Sequence, residues 1–154
     1  KYGNIQALKL LWANGAASLD DKAYTLLVQS GITPLHLGAE NGFFDVVDFL
    51  IDNGCSVNFQ NNEGLTPLHY AIKGGQIEMV KYLIEKGADP KITDIYGKTC
   101  SQIAVESGHP DIADLFMEGN DGDKEALLFD SAETGNISLL TKLLNEGIDP
   151  NTEI

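Results

Sequence analysis

Thr33-Pro34-Leu35-His36 returns as Thr66-Pro67-Leu68-His69, 33 residues further on, and a third step of 33 lands on Thr99-Cys100-Ser101-Gln102. The glycines keep the same interval. Gly31, Gly64 and Gly97 precede the element, and Gly42, Gly75 and Gly108 follow it. Inside each unit a second spacing of twelve residues separates Gly3 from Gly15, Gly42 from Gly54, Gly75 from Gly87 and Gly135 from Gly147. Twelve residues after Gly108 stands Asn120, which also tolerates left-handed backbone. A period of this length marks stacked supersecondary units, none of which can bury its apolar face alone.

Each unit reads as two short helices. The threonine is an N-cap, and the proline sits at the first helical position, where its missing N–H costs nothing. The run from Pro34 to Glu40 makes about two turns, and Asn41-Gly42 ends it. The second helix carries apolar pairs four residues apart. These are Val46, Val47, Leu50 and Ile51, then Met79, Val80, Leu83 and Ile84. Ile112, Ala113, Phe116 and Met117 follow, then Leu139, Leu140, Leu143 and Leu144; Ala7, Leu8, Leu11 and Trp12 lead them. That pattern predicts one buried helical face per unit. Helices this short are marginal in water, so stacking must hold them.

The period, the Thr-Pro-Leu-His element and endings such as Glu85-Lys86-Gly87-Ala88-Asp89-Pro90 resemble ankyrin repeats over nearly the whole chain. The resemblance implies an all-α ankyrin-repeat solenoid: stacked helix-turn-helix units with short β-hairpin fingers. It also implies a partner bound on the concave side, lined by fingers and first helices. The expected divisions are a partial repeat with an enlarged connecting segment at 1–32, repeats at 33–65 and 66–98, a shortened closing-type repeat at 99–123 and an opening-type repeat at 124–154.

Three departures from the period stand out. The chain opens at Lys1-Tyr2-Gly3, in a turn, and stops at Asn151–Ile154, just into a finger, so a monomeric segment of a longer chain is expected. Gly15 to Thr33 spans 18 residues where the later units have 12, and the six extra residues predict a short helix or an enlarged finger around Ser18–Val28, with Leu19, Ala23, Leu26 and Leu27 on one face. The step from Gly108 to Gly135 is 27, six short. There Gly119-Asn120-Asp121-Gly122-Asp123 replaces a finger and predicts an open connection at 119–124. The helix after it, from near Glu125 or Ala126, keeps apolar residues that need burial, so the last unit should dock on the third.

Charge narrows the partner. Ten lysines, no arginine and 23 acids give a net charge of −13. Phosphate neutralisation by Lys and Arg dominates nucleic-acid affinity, so nucleic acid is excluded as a partner. Residues 1–105 hold 8 lysines and 11 acids; residues 106–154 hold 2 and 12. That acidic third makes a protein partner with a basic surface or peptide the candidate, against the plain alternative of a solvated face. No run of about 18 apolar residues is present, so no membrane insertion is expected. Two cysteines, Cys55 and Cys100, make neither a disulfide framework nor a metal motif, and an intracellular setting follows.

Nothing assembles a catalytic constellation, a cofactor site or a metal site. The resemblance implies that His36 and His69 are structural hydrogen-bonding residues at the foot of a finger; Gln102, in the same slot, can still donate and accept, and His109 before Pro110 reads as exposed. Asn120, Asp121 and Asp123 lack the ligand alternation of a calcium loop. The resemblance marks Gln60, Asn62, Glu63 and Leu65 as outward finger positions, followed by Thr93, Ile95, Tyr96 and Lys98. Ends of first helices add Glu40, Asn41, Lys73, Gly74, Glu106 and Ser107. Leu65, Ile95 and Tyr96 are apolar where no core is expected to need them, which makes them candidate hot spots. Asn58 and Asn151 occupy a slot that is hydroxylated in some ankyrin proteins, though the acid-Val pair expected before it is incomplete at both. The expected function is a non-catalytic protein–protein interaction scaffold, the alternative a regulatory or targeting segment of a larger enzyme or channel.

Overall fold

Threonine-proline starts and glycine stops are read out directly as short helices in the computed structural model, which describes residues 29–116 and 121–151. Two compact units are present, Lys1–Asp89 and Pro90–Ile154. The first holds α1 (Pro34–Glu40), α2 (Phe44–Asp52), α3 (Pro67–Lys73) and α4 (Ile77–Glu85). The second holds α5 (Cys100–Glu106), α6 (Pro110–Ala113) running on as a 3-10 turn (Asp114–Phe116), α7 (Asp121–Glu133) and α8 (Ile137–Asn145). The predicted helix or enlarged finger at Ser18–Val28 lies outside the described residues.

Thr33, Thr66 and Thr99 are extended N-caps of α1, α3 and α5. At the other end of α1, Gly42 takes a φ of 67°, which only glycine adopts without strain. That turn lets Gly42 N–H reach Ala39 O at 3.2 Å and Phe43 N–H reach Gly38 O at 2.9 Å, satisfying two orphan carbonyls. The second of these bonds recurs from Gln76 to Ala71, from His109 to Ala104 and from Asn136 to Ser131. The last helix pair thus keeps the register although it lacks the Thr-Pro-Leu-His element.

In the first unit α1 packs on α2 and on α3, and α3 packs on α4. Every residue from Pro67 to Ile72 is buried. Full burial of one leucine contributes about 1.5–3 kcal/mol, so the packing of Leu35 and Leu68 rather than propensity holds seven-residue helices. The second helices bury a narrower stripe than the sequence pattern suggests. Met79, Val80 and Leu83 are buried, but Ile84 turns out at 38% exposure; Leu144 does the same at 39%. The fourth position of each set lies about 500° around the helix from the first, which carries it past the edge of the buried stripe. Outside that stripe, Tyr82 donates its hydroxyl hydrogen bond to Asp48, and Lys86 Nζ sits 3.0 Å from Asp48 Oδ1, tying α4 to α2.

In the second unit α5 packs on α6 and α7, and α7 packs on α8. Lys142 Nζ meets Asp114 Oδ1 at 2.8 Å, and Lys124 Nζ meets Glu146 Oε2 at 3.2 Å. The last helix pair is therefore docked on the preceding one. Two expectations need correction. The open connection at 119–124 is helical from Asp121 onward, because acids in a first turn favour the positive end of the helix dipole. The helix expected to run through Ile112 and Phe116 tightens to 3-10 after Ala113. Among the described residues there are no strands, so the finger segments are turns rather than paired hairpins.

Candidate partner-binding surfaces

Two turns of the same design replace the hairpins. In the first unit Asn61 N–H donates to Leu65 O at 2.9 Å, and Asn61 Oδ1 accepts from Glu63 N–H and Leu65 N–H, each at 2.9 Å. In the second, Asp94 N–H donates to Lys98 O at 3.2 Å, and Asp94 Oδ1 accepts from Tyr96 N–H and Lys98 N–H, each at 2.9 Å. An Asn or Asp side chain that bonds its own backbone two and four residues on fixes the tip without a strand partner. Sequence reading singled out neither Asn61 nor Asp94, although both are the Asx residue three before a glycine.

The first-unit turn is clamped from below. His36 is buried, and its Nδ1 accepts from Thr33 N–H at 3.1 Å and lies 2.8 Å from Thr33 Oγ1. That places the ring proton on Nε2, which donates to Leu65 O at 3.0 Å. Burial pushes the His36 pKa down, against the opposing effect of the carbonyls it bonds, so the ring stays neutral. His69 repeats the contact at the next helix start, accepting from Thr66 N–H at 3.0 Å. Gln102 does the same for Thr99 at 3.1 Å.

Side chains named from sequence divide sharply in this unit. Leu65 is buried at 5% exposure, not an outward hot spot, because the His36 bond draws its backbone inward over the foot of the turn. Gln60 Nε2 closes the turn on Gly64 O at 2.9 Å, and the Asn62 amide bonds Gln29 O. Both are engaged in holding structure. Asn41 is exposed and bonds back to Leu37 O at 2.9 Å. Lys73 stands 5.7 Å from the Tyr70 ring centroid, and the Glu63 and Glu40 carboxylates both act on the Tyr70 hydroxyl. Burial chiefly raises the Tyr70 pKa, opposed by the hydrogen bond from Asn61. The face therefore centres on Tyr70, which periodicity alone could not mark. It also carries Phe59, 48% exposed, edge-on to His36 with centroids 6.3 Å apart. Asn58 uses both ends of its amide, donating to Gly87 O at 3.1 Å and accepting from Asp89 N–H at 2.9 Å.

In the second unit Ile95 and Tyr96 stand out, 61% and 78% exposed at the tip of their turn. Thr93 is half-buried. Lys98 Nζ grips both carboxylate oxygens of Glu106, at 2.6 and 2.7 Å, which raises the lysine pKa. Beyond that pair, on α7, lies Asp130. Burial raises its pKa; the hydrogen bond from Gln102 opposes this, and repulsion from Glu106 and Glu133 adds to it. His109 is half-buried as the N-cap of α6, not exposed as its sequence context suggested.

The raised carboxyl of Asp130 has a definite sign. The packed form favours the protonated acid, so its stabilising effect is full below the ordinary value of 3.8 and is lost as pH rises through the higher folded value. Asp130→Asn, which imitates the neutral acid, is expected to raise the urea midpoint at pH 7. The gap to the parent chain should close below about pH 4. An equal midpoint for both at pH 7 would show that Asp130 is fully solvated.

Helix pairs stopped by left-handed glycines, with Asx-bonded turns between them, define a stacked helical repeat protein. Profiles described as "Ankyrin repeats (3 copies)" and "Ankyrin repeats (many copies)" match residues 1–94 and 74–116 respectively. The chain belongs to the ankyrin-repeat family, whose members generally bind other proteins and are typically non-catalytic. No curated protein matches the chain. Among the described residues no helix is long and apolar enough to cross a membrane, and no group of three or more His, Cys, Asp or Glu could hold a metal ion.

Proposed function

We propose that this chain is a non-catalytic scaffold, acting in an intracellular compartment, that holds a protein partner against its finger turns and first-helix ends. The observation that carries the reading is the pair Ile95 and Tyr96, held in solvent by a turn whose backbone is already bonded to Asp94. Exposed apolar and aromatic groups on rigid backbone make contacts without a large ordering cost. In the first unit Glu40, Glu63 and Lys73 gather near Tyr70 and supply polar contacts. The histidines are used for structure, and neither Cys55 nor Cys100 is in a disulfide, in keeping with a reducing compartment.

The test is a quantitative pull-down with the 154-residue chain, compared with one variant per unit. These are Glu63→Lys with Lys73→Glu, and Ile95→Ser with Tyr96→Ser. All four side chains lie outside the core, so circular dichroism should be unchanged. Partners captured by the parent chain should be depleted from at least one variant. Capture at equal yield by both would remove these faces from the binding reaction.

A further inference from the structure

The second unit carries a large excess of acid. Residues 90–154 carry 4 lysines and 13 acids. Lys98, Lys124 and Lys142 are each already paired with a carboxylate. Next to the exposed Ile95–Tyr96 tip, the Lys98–Glu106 pair forms the near edge of a run of acids that continues through Asp130 to Glu133. Lys98 pairs with Glu106 and only partly offsets the repulsion that Glu106 and Glu133 exert on Asp130; among the described residues neither Asp130 nor Glu133 has a cation at bonding distance. An apolar tip beside carboxylates in excess of their cations asks for a ligand with both features.

The geometry points to this face as the docking surface for a basic protein segment that places an aromatic or aliphatic side chain on Ile95 and Tyr96 and its lysines or arginines toward Glu106, Asp130 and Glu133. This rests on the protein-binding reading above and adds the chemistry of the partner. Other occupants are opposed by charge. A second copy of a chain at −13 is repelled, as are the anionic backbone of nucleic acid and an anionic lipid surface. A basic segment gains long-range attraction first and apolar burial on contact. Charge should therefore govern association, while the tip governs residence.

Random-peptide display against the 154-residue chain tests this without knowledge of the natural partner. Enriched peptides are expected to combine Lys or Arg with an aromatic or aliphatic residue. Their affinity, read by fluorescence anisotropy, should fall at least about tenfold for Ile95→Ser with Tyr96→Ser, chiefly through faster dissociation. Glu106→Gln, Asp130→Asn and Glu133→Gln together should slow association about tenfold and leave dissociation within about twofold, as should raising salt from about 0.05 to about 0.5 M. Enrichment of acidic or uncharged peptides, basic peptides indifferent to both sets, or no enrichment at all overturns the proposal. Uncharged peptides sensitive to Glu63 and Lys73 changes would sink it while leaving the scaffold reading intact. Failure of both display and pull-down would sink the two together.

Discussion

Gly74→Ala is expected to cost about 3 kcal/mol or more, enough to unfold a marginal array. The backbone conformation is not the reason. Gly74 caps α3 at φ −76° and ψ −3°, where alanine is at ease. The reason is the neighbouring helix. A β-carbon there would lie 2.1 Å from Glu40 O and 2.9 Å from Glu40 C, both backbone atoms at the end of α1. Ordinary contact begins near 3.4 Å, so the two chain segments must part by about 1.3 Å. Parting them opens the interface between α1 and α3, where Leu35, Ala39, Leu68, Ala71 and Ile72 are all buried. Gly87→Ala is the control. It sits at φ 93° with nothing within 4 Å of its added carbon, so it should cost only left-handed strain of about 1–2 kcal/mol. Urea denaturation followed by circular dichroism compares them. A Gly74→Ala loss no larger than the Gly87→Ala loss would mean the ends of α1 and α3 do not approach so closely.

Leu83→Ala should cost about 2–5 kcal/mol through lost burial and the cavity left behind. Leu83 is 0% exposed in the middle of α4, one turn from Met79 and Val80, and its carbonyl accepts from Ala88 N–H at 2.9 Å. That bond stops the helix, so loosening the leucine also loosens the turn after it. Repeat units depend on their neighbours, and the loss should spread beyond α4. Ile84→Ala, one residue on but 38% exposed, should cost under about 1 kcal/mol. Equal midpoints for the two variants would reject the register of α4.

These two sites show where legibility ends. Leu83 could be named from the spacing of apolar pairs, since one-dimensional periodicity reports the inward face of a helix. Gly74 could be seen as a helix-end residue but not explained. The equivalent slots 33 residues either side hold Asn41 and Ser107, so nothing local demands glycine. Only the approach of the Glu40 carbonyl does. Leu65 fails for a related reason. Apolar character at a finger position reads as exposed, yet a hydrogen bond from His36, 29 residues earlier, turns the segment so that its side chain is covered. Ile95 was read as exposed and is, because its turn bonds to itself through Asp94.

By itself the sequence determined the class of fold: a 33-residue period, Thr-Pro starts and glycine stops act through local backbone preferences and need no distant partner. It also determined the acidic imbalance, and with it the sign of the field a partner meets. The tertiary structure decided which candidates face solvent and that the described fingers are Asx turns. Each of these depends on groups far apart in the chain, or on turn closures that compete with strand pairing. A pattern of residue types carries the sum of such terms, and coordinates separate them.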